Sequence, residues 1–195
     1  EMSASLVGSE MCIRDRVLAV NKPVGIVCTE ERRERNSIVR FLNYPIRVTY
    51  IGRLDKDSHG LLLMTNNGDI INKMMRAGNQ HEKEYKVTVD KEITPEFIKQ
   101  MSTGVPILDT VTRPCKVTQI GKYTFTIVLT QGLNRQIRRM CEALGYQVKD
   151  LFRTRVMNIE LNGLKDGAYR KLTDAELNEL YEMIKDSSNE TVRWE

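Results

Sequence analysis

A chain of 195 residues, 41% hydrophobic and 29% charged, can bury a core as one domain or two small ones. Its net charge of +4 admits an anionic partner without requiring one. Four cysteines without paired spacing and only two histidines argue against a disulfide framework or a zinc site and for a reducing cytoplasm, and no apolar run reaches membrane-spanning length.

Residues 1–16 (EMSASLVGSEMCIRDR) have neither helical nor strand periodicity and no signal-peptide core. The string resembles a translated sequencing adapter, so the expectation is a segment that packs against nothing, with the folded domain at 17–186 and a frayed tail at 187–195. Residues 17–20 read as a strand entering the Pro23–Gly25 turn, and 26–28 resume one. Residues 30–35 are a charged loop whose arginines can meet phosphate. Ser37 caps a short helix ending before Tyr44-Pro45. The alternating, β-branched residues 47–51 predict a strand, and 61–65 predict a second, buried one.

Between these two strands lies Gly52-Arg53-Leu54-Asp55-Lys56-Asp57-Ser58-His59-Gly60, with a glycine at each end to let the backbone turn. Such a loop is either a solvated turn with mutually neutralised charges or a site where a carboxylate stays ionised among cations. Asp57 is read as structural, tied to a nearby backbone amide. Asn66-Asn67-Gly68-Asp69 turns the chain into a helix with Ile70, Ile71, Met74 and Met75 on one face. Residues 81–89 alternate with period two, placing Lys83, Tyr85, Val87 and Val89 on one side of a strand. Thr94-Pro95 starts a helix that Gly104 ends. Strands follow at 105–107, 110–112, 116–120 and 123–129, the last two joined by a glycine-first hairpin turn at Gly121-Lys122.

Gln131-Gly132-Leu133-Asn134 opens a basic helix with Ile137, Met140, Cys141 and Leu144 on its apolar face and Gly145 as its stop. Arg135, Arg138 and Arg139 on this helix cannot all point the same way. Residues 148–151 and 153–159 are strand-like, and Thr173 to Glu176 is a capping box that launches a last helix to about residue 185. Interspersed strands and helices with hairpins and no βαβ alternation predict an α+β fold around a mostly antiparallel, mixed sheet.

Three spaced motifs, GRLDKDSHGL, KEYKVTV and QGLNRQIRRM, together with NKPVGIV and RTRVMNIEL, resemble the bacterial pseudouridine synthases of the RsuA type, closest to a branch that acts on 23S rRNA. The resemblance runs from about Val17 to about Ile184. It implies a central, largely antiparallel sheet beside an RNA-binding cleft, and isomerisation of a uridine in 23S rRNA, or also in a tRNA anticodon loop, without metal or organic cofactor. It implies that Asp55 is the catalytic carboxylate and that Arg53 helps displace the target nucleotide from the stack. It further implies that Tyr85 lies against the base and that Arg138 pairs with Asp55. Family members usually carry a small αL-type RNA-binding domain ahead of NKP; the adapter-like string stands in its place, so the expectation is a catalytic-domain fragment that is monomeric. Leu133 replaces a basic residue common in related branches. RNA contacts are expected from Arg32, Arg33, Arg35, Arg135, Arg139, Lys149, Arg153 and Arg155, which would position a substrate without specifying it. Two rivals remain on the residues alone: a non-catalytic RNA-binding module for ribosome assembly, and a nucleic-acid glycosidase that releases free base.

Overall fold

The computed structural model describes residues 15–76 and 81–185. Eleven strands and five helices follow in chain order: β1 (Val17–Lys22), α1 (Ile38–Leu42), β2 (Thr49–Tyr50), β3 (His59–Thr65), α2 (Gly68–Met75), β4 (Lys83–Val89), α3 (Pro95–Thr103), β5 (Pro106–Ile107), β6 (Thr110–Val111), β7 (Lys116–Gln119), β8 (Thr124–Leu129), α4 (Gln136–Ala143), β9 (Val148–Val156), β10 (Ile159–Glu160), β11 (Tyr169–Lys171) and α5 (Asp174–Lys185). The main sheet runs β11-β1-β3-β9-β4-β8-β7, with β2 added to β3 and β10 to β9, while β5 and β6 pair apart. Among the described strands of this sheet only the β3–β9 pair is parallel, so the sheet is mixed and mostly antiparallel, the α+β architecture that the alternation of elements implies.

That parallel contact joins the two halves of the sheet at His59↔Phe152 and Gly60↔Arg153. Gly60 has φ +115, and a Cβ there would run into the carbonyl of Arg153 and lie 2.7 Å from its amide nitrogen. A side chain at this position would therefore force the halves apart. Three apolar clusters fill the space around the sheet. One packs α3 and α4 on β4 and β8 through Phe97, Met101, Met140 and Phe125. A second sets α5 and α2 on the other end through Leu180, Ile184 and Ile70. The third joins α1 to β1 and β3 through Ile38, Leu42, Leu18 and Leu62.

Local signals fix the helix ends. Ser37 accepts the Arg40 amide, Asn67 those of Asp69 and Ile70, and Thr94 that of Phe97. After α4 the Tyr146 and Gly145 amides donate to the carbonyls of Cys141 and Glu142, with Gly145 at φ +83. This is a Schellman ending, which needs a left-handed residue at that point. Thr173 and Glu176 exchange side-chain and backbone hydrogen bonds at 2.9 and 3.2 Å, as a capping box should.

Several expectations shift. The strand read over 47–51 shrinks to β2, because β9 occupies the lower part of the same β3 edge. Residues 26–28 contribute a single bridge, Val27 to Ser37. Met75 is 55% exposed and leaves the apolar face of its helix. Gly121 is absent from the residues with positive φ, so the hairpin is not of the glycine-first kind; a Cβ there would meet Thr124 Oγ1, whose hydroxyl would have to turn away. Residues 148–151 and 153–156 form one strand. Of the segment expected to pack against nothing, residues 1–14 lie outside the described ones, but Asp15 and Arg16 are engaged: the Arg16 amide donates to Asn66 Oδ1 at 2.8 Å and Asn67 Nδ2 to Asp15 Oδ2 at 3.2 Å. The tail at 187–195 also lies outside the described residues.

Candidate active site

The Asp55 loop leaves the sheet at Gly52, where φ is +71, and rejoins it at His59, the first residue of β3. Three ties hold it. The Leu54 amide donates to Cys28 Sγ at 3.5 Å, the Gly25 amide to the Lys56 carbonyl at 2.7 Å, and the Ser58 amide to the Asp55 carbonyl at 3.0 Å. Leu54 and Ser58 are buried, so the loop is anchored on both sides of the two carboxylates while Asp55 and Asp57 keep about two fifths to half of their side chains exposed, 38% and 49%.

Helix α4 supplies the cations. Arg135, its N-cap, sits in the left-handed region at φ 48 and makes no side-chain cap bond. That conformation costs a non-glycine residue on the order of 1 kcal/mol, and it goes with a guanidinium committed to the loop. Arg135 donates to both oxygens of Asp57 at 3.0 and 2.8 Å and lies 3.4 Å from Asp55 Oδ2. This fork holds the Asp57 carboxyl below its ordinary range, and the same pairing raises Arg135. Arg138 takes a different position. Its Nη2 donates to the Asp57 carbonyl at 3.0 Å and to Ser58 Oγ at 3.1 Å, and its Nη1 is 3.5 Å from Asp57 Oδ2. The expected partnership of Arg138 with Asp55 is thus corrected: Arg135 is the guanidinium ion-paired with Asp55, and Arg138 clamps the loop backbone. The cause is the helix start. A helix beginning one residue later than Arg135 leaves that residue projecting over the loop, while Arg138, only 12% exposed, lies beneath it.

The sheet provides the floor. Lys22, Gly60, Arg153 and Tyr85 are aligned partners across β1, β3, β9 and β4, so they leave the sheet on one side. Tyr85 is half-buried and packs against the α3–α4 cluster and against the cluster that contains Leu54, the neighbour of Asp55. Lys22 is wholly buried, and its Nζ donates to the Pro23 and Ile26 carbonyls, both at 2.8 Å. Burial pulls it down to about 8, with Asp55 and Asp57 acting the other way. Lys22 is absent from the set of cations expected to meet RNA, because a buried lysine carries no surface-charge signal. Its signal was phase: period two puts it on the face of Leu18 and Val20. His59, also unassigned from sequence, stacks on Phe152 at 4.6 Å with Nε2 2.8 Å from Asp150 Oδ1, bracing the end of the loop.

The remaining arginines divide. Arg32, Arg33, Arg35 and Arg53 are exposed. Arg139 bonds the Asn134 carbonyl and side chain at 3.0 and 2.9 Å, within its own turn. Arg155 is taken up by Glu82, Glu84 and the Met157 carbonyl, so it is not a free RNA contact. Arg153 is 3% exposed, with Nε donating to the Leu61 carbonyl at 2.7 Å, and belongs to the floor instead of a solvated face. Among the described residues no group of three or more His, Cys, Asp or Glu side chains is placed to hold a metal ion.

The site is thus an acidic loop pinned by a basic helix over a sheet that presents Tyr85, and the comparisons with known proteins say which family builds it. The family described as RNA pseudouridylate synthase matches residues 16–143, and the chain belongs to that family. It is 60% identical over 174 residues to the dual-specificity RNA pseudouridine synthase RluF of Escherichia coli (strain K12), covering 89% of this chain and 60% of that protein. The chain thus spans about three fifths of that relative's length. It is 37% identical over 168 residues to the ribosomal large subunit pseudouridine synthase B of Bacillus subtilis (strain 168), covering 82% of this chain and 68% of the relative. A crystal structure of a pseudouridylate synthase superposes with TM-score 0.79 at 28% identity, over 85% of this chain and 74% of that one.

Proposed function

We propose that this domain isomerises uridine to pseudouridine in structured RNA, with 23S rRNA as the first substrate and a tRNA anticodon loop as the second. The observation that carries the reading is Asp55 itself: a carboxylate on a doubly anchored loop, 3.4 Å from a guanidinium and beside the cluster on which Tyr85 packs. The reaction breaks the bond from the sugar to ring nitrogen and remakes it to carbon-5, so the base must turn over in place. A stacked base is out of reach, and extruding it costs a few kcal/mol. Arg53, exposed and two residues before Asp55, offsets part of that loss by stacking and phosphate contact in this reading. Tyr85 offers a flat ring to the extruded base and a hydroxyl near carbon-5. Asp55 can attack the anomeric carbon, add to the base, or remove a sugar proton; each route needs the ionised carboxylate.

A releasing glycosidase and a non-catalytic module are the readings to exclude. The domain is taken to work as a cytoplasmic monomer, and no helix among the described residues is long and apolar enough to cross a membrane. Chemical mapping of 23S rRNA transcripts treated with wild type and Asp55→Asn is the test. The near-isosteric change should abolish pseudouridine formation with folding and RNA binding retained. Turnover within tenfold of wild type, about 1.4 kcal/mol of barrier, would remove Asp55 from the reaction, and free uracil among the products would favour the glycosidase.

A further inference from the structure

Beside Tyr85 the sheet carries two cations that the mechanism leaves unused. Lys83 precedes Tyr85 by two residues on β4 and so shares its face, about 7 Å away along the strand. Arg153 is the aligned partner of Tyr85 on β9 and is 3% exposed. Arg135 and Arg138 are balanced by the acids of the loop, and Arg155 by Glu82 and Glu84. Among the described residues neither Lys83 nor Arg153 has a carboxylate within ion-pair distance. Arg153 has only its Nε–H on a carbonyl oxygen, that of Leu61. Burial pushes the Lys83 ammonium below the usual lysine range, and the Arg153 guanidinium pushes it further the same way. Two like charges half-withdrawn from water without a counter-ion are unfavourable in the free protein. The position opens at Gly132, where even a Cβ would stand 4.0 Å from Lys83 Nζ, so no side chain from that residue caps the ammonium.

We propose that Lys83 and Arg153 form a subsite for one phosphodiester of the RNA, adjoining the nucleotide that lies on Tyr85. The assignment rests on the uridine-isomerase reading above. A nucleotide seated on the tyrosine ring brings its own flanking phosphate to within a few ångströms of a cation two residues along the strand. Arg153 is fixed at Nε and turns its terminal nitrogens to that oxygen, and Lys83 adds a point charge from the open side. The anion supplies the missing counter-charge, so binding relieves what folding imposes.

The test is Lys83→Met and Lys83→Arg in the full chain, titrated with a 23S rRNA stem-loop across a salt series and followed by single-turnover rates. Lys83→Met should weaken binding about tenfold near 0.1 M salt and flatten the slope of log K against log salt by about 1. The loss should fall in affinity and not in the rate at saturating RNA, and Lys83→Arg should restore most of it. The melting temperature of Lys83→Met should hold or rise, because an unpaired buried charge has been removed. Unchanged affinity and slope would overturn the subsite; so would a fall in saturating rate at constant affinity, which would put Lys83 on the base, or a lower melting temperature, which would make it structural. Inorganic pyrophosphate supplies an independent arm: it should raise the melting temperature of wild type and not of Lys83→Met. If wild type makes no pseudouridine, the isomerase reading fails while the pyrophosphate arm still decides the subsite.

Discussion

At the scale of single residues the two arginines of α4 divide between them the work that one was expected to do. Arg135 is 39% exposed and meets Asp57 and Asp55 from the solvent side, whereas Arg138 is 12% exposed and holds the loop's carbonyl and Ser58 hydroxyl. Exposed ion pairs contribute about 0–1 kcal/mol, while hydrogen bonds from a charged, half-buried donor are worth roughly 1.5–3 kcal/mol. Arg138→Ala should therefore lower stability by about 2 kcal/mol and blur the Asp55 loop. Arg135→Ala should leave the melting curve within about 1 kcal/mol of wild type yet slow the single-turnover rate, since Asp55 then lacks its ion-paired cation. Equal melting curves for the two variants would show that Arg138 does not clamp the loop. The sequence could not make this distinction. Both residues follow the same Gly-Leu-Asn turn, and which one projects depends on the left-handed conformation of Arg135, which no residue type there announces.

At the scale of elements, the parts legible in advance were those with local causes: helix starts at Ser37, Thr94 and Thr173, the turn into α2 at residues 66–69, the stop at Gly145, and the period-two face of β4. The parts that shifted depend on neighbours far along the chain, such as β2, whose length is set by where β9 meets β3. Helix α5 shows how a local cap becomes a tertiary lock. Glu176 completes the capping box with Thr173 and at the same time takes both terminal nitrogens of Arg170, the middle residue of β11, at 2.7 and 2.9 Å. The Arg170 fork, with the Thr173 bonds behind it, draws the Glu176 carboxyl down to about 2 from 4.5. A carboxyl with a depressed folded value takes up its proton first in the unfolded chain. Its stabilisation is thus fully present above pH 4.5 and disappears as pH falls toward 2. The side chains are only 16% and 21% exposed, so little of this is screened. Glu176→Gln should lose on the order of 2–3 kcal/mol at pH 7 in urea unfolding, and the gap to wild type should close between pH 4.5 and 2. A gap that stays constant over that window would mean that packing, not charge, links α5 to β11.

At the scale of the whole molecule, the cations sort by what already holds them, and the sorting decides which stand open to an anionic partner such as the proposed RNA. A net charge of +4 says only that anions are tolerated. The structure shows that Arg139, Arg155 and Arg170 are occupied by the protein's own acceptors, whereas Arg32 and Arg33 stand exposed on the loop between β1 and α1. In the sequence Arg32, Arg33, Arg139 and Arg155 are equal members of a basic surface, because occupancy depends on acceptors brought near by folding, as Glu84 is set opposite Arg155 by strand pairing. Each phosphate that a protein cation neutralises adds to the salt slope of binding, about −0.9 per contact on duplex and −0.7 on single strand. Changing Arg32 and Arg33 together to alanine should therefore weaken binding evenly across RNA sequences and flatten the slope by about 1.5, with no change in melting temperature. Arg155→Ala should do the reverse, leaving the slope intact while lowering the melting temperature, since Glu82, Glu84 and the Met157 carbonyl lose their shared partner. Anisotropy titrations from 50 to about 200 mM salt, run beside thermal melts of both variants, separate the two behaviours. A slope that flattens equally in both would mean that Arg155 leaves its glutamates when RNA arrives.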